Sequence, residues 1–116
     1  MFVEIRSYHY RPDALAAYKQ WATEFAVPYL NEQLDLVGFW IDSGQSPEVL
    51  DAPLDALGTA NVTWIIRWHS MAQREERMTE VFTSEQWEQV FAQLPGGLDN
   101  YLRREGRFAE SVAGVG

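Results

Sequence analysis

Residues Phe2–Tyr10 alternate without a break: Val3, Ile5 and Ser7 fall on one face of an extended chain, Glu4, Arg6 and Tyr8 on the other. That pattern predicts a first strand engaged on both faces, with a core against its aliphatic row and a pocket against its polar-aromatic row. Arg11-Pro12-Asp13 breaks the strand, and Pro12 or Asp13 suits the start of a helix. Leu15, Tyr18, Ala22, Phe25 and Tyr29 then recur at helical steps. Pro28 predicts a kink or end near Ala26, leaving 29–33 as an irregular last turn.

Leu36–Ile41 is a short apolar run rich in strand formers, and Gly38 within it predicts a bulge or a close backbone contact. Residues 43–60 carry Gly44, Pro47, Pro53 and Gly58 with scattered aliphatics, which reads as a long loop with one helical turn around 54–57. Residues 61–68 form the next strand, with Val62, Trp64, Ile66 and Trp68 on one face and Thr63, Ile65 and Arg67 on the other. Ser70 with Gln73 resembles a capping box opening a helix through Met71, Arg74, Met78, Val81 and Phe82. A second start at Thr83-Ser84-Glu85 leads into Trp87, Val90, Phe91 and Leu94, and Pro95-Gly96-Gly97 stops it. A last strand over 101–108 alternates Tyr101, Arg103, Glu105 and Arg107 on one side, and 109–116 reads as a flexible C-terminal tail.

The order βαββαβ predicts an α+β, ferredoxin-like domain over 1–108, with both helices on one face of an antiparallel four-stranded sheet. On this reading the face without helices carries Tyr8, Trp64 and Trp68 beside Glu4 and Arg6, too aromatic a patch for a monomer to expose. Two copies packed sheet to sheet would cover it in a dimeric barrel of about eight strands, with room for one small ligand.

Composition narrows the function. A chain of 116 residues fits one domain, and the aromatic content of 14% with five Trp asks for a place to put the rings. The net charge of -8 argues against nucleic-acid and anionic-membrane partners, which select clustered Lys and Arg. Cysteine is absent, so thiolate metal sites, disulfides and cysteine nucleophiles are excluded. No leader-like start and no membrane-length apolar run is seen, and a cytoplasmic protein is expected. His9 and His69 have no metal-ligand spacing and Gly96-Gly97 sits at a helix stop, so neither a metal nor a nucleotide cofactor is expected.

Glu4-x-Arg6-x-Tyr8, Val37-Gly38-Phe39-Trp40, Asn61 with Arg67-Trp68, Ser70-Met71-Ala72-x-Arg74 and Ser84-Glu85-x-Trp87, in this order over residues 2–108, resemble the NIPSNAP family of the dimeric α+β-barrel superfamily. The resemblance implies a homodimer with a central cavity and places Glu4, Arg6 and Tyr8 on the family's signature strand. Most members have no assigned reaction. Members often carry a His and a Trp where this chain has Trp64 and Ile66, and the 43–60 loop is longer than is usual.

Two functional readings follow. In the first, a cavity between sheets binds an apolar or aromatic metabolite without turnover, using Trp40, Trp64, Ile66 and Trp68. In the second, a cofactor-independent monooxygenase or isomerase uses Glu4, Arg6 and Tyr8 as catalytic residues, with Arg6 on an enolate oxygen and Glu4 as its base. Against both stands a structural use of Glu4 and Arg6 as a buried ion pair that fixes strand register.

Overall fold

The structure, a computed structural model, describes residues 1–112. Four strands, β1 (Phe2–Tyr10), β2 (Leu36–Ile41), β3 (Val62–Trp68) and β4 (Tyr101–Glu110), form one antiparallel sheet in the order β2-β3-β1-β4. The helices are α1 (Leu15–Trp21), α2 (Val27–Gln33), α3 (Met71–Phe82) and α4 (Glu85–Ala92). The fold is the expected α+β, ferredoxin-like arrangement, a slab only 20 Å thick because helices cover a single face. β4 runs two residues past the expected end, to Glu110, and residues 113–116 of the expected tail lie outside the described residues.

Pro28 neither ends nor breaks the first helical segment. A π turn over Ala22–Ala26 joins α1 to α2, and the Val27 N–H donates to the Ala22 carbonyl. The widened turn shifts the hydrogen-bond register beside Pro28, which has no N–H to give, so the helix continues through Gln33. The helix starts follow the sequence. Ser70 Oγ accepts from the Gln73 N–H, and Gln73 Oε1 accepts from the His69 N–H, one residue before the partner of a standard capping box. Ser84 Oγ caps α4 by accepting from the Trp87 N–H. At Gly38 the register of β2 slips, and the Trp40 indole lies so close that a Cβ there would meet its ring at 2.5 Å.

The strand rows face opposite to expectation. The row Glu4, Arg6, Tyr8, and with it Val62, Trp64, Ile66 and Trp68, lies beneath the helices; the uncovered face carries Val3, Ile5, Ser7, Thr63, Ile65 and Trp40. The physical reason is the size of the rings. Tyr8, Tyr10, Trp64 and Trp68 pack with Tyr18, Trp21, Leu30 and Val81 into one core that only the helical layer is thick enough to bury. Aliphatic side chains need less cover. Glu4, the residue that argued for an open pocket, is tolerated inside because its charge is fully partnered there.

The 43–60 loop is irregular and lies against one end of the uncovered face. Asp55 pairs with Arg103 at 2.7 Å, Gly58 O accepts from His9 Nε2 at 3.1 Å, and the Asn61 side chain bonds both backbone groups of Tyr10. The loop therefore buries His9 while leaving Ile5, Ile65 and Trp40 open.

Candidate functional site

Glu4 is fully buried at the middle of the helix-facing row. Its Oε2 accepts from Arg6 Nη1 at 2.7 Å and from Arg74 Nη2 at 3.0 Å; its Oε1 accepts from Arg74 Nε and from Trp68 Nε1, both at 3.0 Å. Burial by itself would raise this carboxyl. The hydrogen bonds from Arg74 and Arg6, with their charges, outweigh it and hold the group below its ordinary value. Arg74 reaches in from the inner side of α3, with its Nη1 on the exposed Glu75 and its guanidinium over the Phe108 ring. Gly106 lies opposite Arg6 on β4, beside the pair: a Cβ there would come to 3.4 Å from Glu4 Oε2 and 3.6 Å from Arg6 Nη1, ordinary contact distances.

Arg6 links this cluster to a pocket. Its Nε donates to the Tyr8 hydroxyl at 2.8 Å, and its guanidinium carbon stands 5.3 Å from the Trp64 ring centre, a cation–π arrangement. Beside it, between sheet and helices, is a pocket of about 360 Å³ walled by Tyr8, Tyr18, Trp21, Phe39, Trp64, Phe82, Trp87, Phe91 and Tyr101, with Arg104 and Leu98 also lining it. That volume falls in the range that takes a small organic ligand. The rings hold one another by edge-on contacts, among them Tyr8 on Tyr101 at 5.5 Å and Phe82 on Trp87 at 4.8 Å. Burial pushes the Tyr18 phenol far above its ordinary value and the Tyr101 phenol up to about 12, so both are neutral donors over the physiological range.

Of the expected catalytic residues, Arg6 and Tyr8 line the pocket, while Glu4 sits behind Arg6 in the charge cluster. Of the expected ligand-binding residues, Trp64 lines it. Ile66 and Trp68 belong to the buried core, and Trp40 lies on the opposite face, 49% exposed. The sequence pattern assigns no site role to Arg74, Tyr101 or Arg104. For Arg74 a signal existed, a guanidinium on the same helical stripe as Met71, Met78 and Val81, where only a buried anion justifies it. His9 is buried under the loop and His69 opens the turn into α3; among the described residues no cluster of His, Cys, Asp and Glu is placed to hold a metal.

No protein-family model matches the sequence, and no curated protein does. Solved structures match the fold closely. A NIPSNAP family protein of unknown function from Agrobacterium tumefaciens superposes with a TM-score of 0.70 at 19% identity, over 93% of this chain and 85% of that one. An uncharacterized NIPSNAP domain protein from Burkholderia xenovorans gives 0.71 at 15% identity, over 97% and 96%. An antibiotic biosynthesis monooxygenase is more distant, at 0.54 and 13% identity, over 97% and 100%. With the sheet order, the single helical layer and these superpositions together, the fold of the chain matches that of the NIPSNAP family.

Proposed function

We propose that this protein binds a small apolar or aromatic metabolite in the pocket between its sheet and its helices, and that it works as a homodimer. The observation that carries the binding reading is the pocket itself, about 360 Å³ of ring-walled space with Arg6 and Tyr8 in its wall. A core that needed only to be filled would close over such a volume. Binding is favoured over turnover by the state of Glu4: four donor contacts from Arg6, Arg74 and Trp68 keep it a carboxylate with no lone pair aimed at a substrate. A general base poised near neutral pH needs the opposite shift.

The dimer rests on the uncovered face, where Val3, Ile5, Ile65 and Trp40 form an apolar surface, and not on the buried indoles. A second copy laid on that face supplies its cover. A cytoplasmic location belongs to the same proposal. Native mass spectrometry of freshly purified protein tests both parts in one spectrum. The expected result is twice the chain mass plus a retained small molecule; a single bare subunit overturns the dimer, and failure of every aromatic probe to bind the apo protein overturns the pocket.

A further inference from the structure

The polar groups around the pocket are of one kind. Among the described residues its lining offers the guanidiniums of Arg6 and Arg104, the phenols of Tyr8, Tyr18 and Tyr101 and the indoles of Trp21, Trp64 and Trp87, with no carboxylate, carboxamide or imidazole. Arg6 spends its Nε on Tyr8 and its Nη1 on Glu4, and its Nη2 has no protein acceptor among the described residues. Tyr8 accepts from Arg6, which leaves its own O–H free to donate. Arg104 lies opposite Tyr8 on β4, stacked over the Tyr101 ring at 5.0 Å, exposed, and in no ion pair among the described residues.

The charge balance points the same way. The pocket and the cluster behind it set three guanidiniums, Arg6, Arg74 and Arg104, against two carboxylates, buried Glu4 and exposed Glu75. This local excess of positive charge occurs in a chain whose net charge is -8. A neutral hydrocarbon has no use for such an array. An acceptor-rich anion does, because guanidinium–carboxylate pairs are charge-assisted and bidentate.

Resting on the binding reading above, we infer that the pocket selects aromatic anions, carboxylates in the first place, with Arg104 as the specificity-determining residue that meets the anionic head while the ring enters among Phe39, Trp64, Phe82 and Trp87. Arg104 suits this role since no buried charge depends on it, in contrast with Arg6, whose loss would strip a partner from buried Glu4.

Isothermal titration of the whole chain with naphthoate and with naphthamide, one ring system with and without a charge, tests the inference. The expected result is that naphthoate binds the native protein on the order of tenfold tighter, and that Arg104→Gln removes this preference by weakening naphthoate far more than naphthamide. If both probes bind equally well, the anion preference fails and the pocket reading stands. A preference that survives Arg104→Gln overturns the assignment of Arg104. If neither probe binds, the pocket reading fails, and this inference fails with it.

Discussion

Arg74 on α3 grips Glu4 on β1 with two parallel hydrogen bonds, Nε to Oε1 and Nη2 to Oε2, each 3.0 Å long. The pair crosses from helix to sheet inside the core, where the carboxylate has no exposure and the Arg74 side chain 20%. Removing one partner strands the other's charge. Arg74→Ala should therefore destabilise the fold by about 3 kcal/mol, the size expected when a buried pair is broken from one side. Urea unfolding measures it; a loss indistinguishable from zero would mean that Arg6 and Trp68 suffice to hold Glu4.

The same cluster sets an acid limit. Glu4 titrates lower in the folded chain than its ordinary 4.5, so the unfolded chain takes up the proton first as pH drops. The stability due to this group is complete above about pH 4.5 and is lost as pH falls through the lower folded value. Unfolding free energies taken across the acid range should decline in the native protein and decline less steeply in Glu4→Gln. Parallel curves for the two proteins would assign the acid limb to other carboxylates.

Trp64 stacks against Phe39 at 6.0 Å and lies under the Arg6 guanidinium, so it serves the core and the pocket together. Trp64→Ala should cost about 3–5 kcal/mol of stability, as large-to-small core changes do, and enlarge the pocket. The consequence falls on the fold of each subunit, because the indole is buried within its own chain. Should the variant unfold at the native midpoint and lose only its self-association, the ring would belong to an interface.

Which parts of this were legible in the residues follows from which signals are local. The Ser70 and Ser84 caps, the break at Pro95-Gly96 and the alternation in β1 and β3 depend on near neighbours, and each element stands where its pattern places it. The face of the sheet that meets the helices is a tertiary fact. Strand alternation separates two rows without saying which is covered, and a carboxylate such as Glu4 among rings points to the open side unless a distant counter-charge is known; Arg74, some seventy residues away, supplies it. Pro28 failed as a stop because a π turn absorbed its missing bond, an option that helical periodicity does not reveal. The pocket was half visible, through Arg6, Tyr8 and Trp64; Tyr101 and Arg104 come to it only by the pairing of β4 with β1.

Alkali should find a limit in the phenols. Tyr10, Tyr18 and Tyr101 are all raised above their ordinary 10.0, chiefly by burial, with Tyr101 at about 12. Raised folded values mean that the stability due to these groups is present below pH 10 and drains away above it, as the unfolded chain ionises first. Thermal midpoints should fall from about pH 10 upward, and ultraviolet titration at 295 nm should show delayed, cooperative ionisation of the buried phenols. Smooth titration of Tyr10, Tyr18 and Tyr101 near 10 in the folded state would contradict the burial described for them.

Ile5 and Ile65 face each other across β1 and β3 at the centre of the uncovered sheet face, with Trp40 flanking them on β2. If a second copy covers this surface, a charge placed there is desolvated on association and has no partner, while in a lone subunit it stays in water. Ile65→Glu should therefore convert dimer to monomer in sedimentation at micromolar concentration with unchanged far-ultraviolet dichroism. Trp40→Gln, nearer the sheet edge, should weaken association less. Because the pocket lies on the other side of the sheet, the monomeric variant should still bind naphthoate; loss of binding together with the dimer would mean that the partner copy shapes the pocket through the sheet.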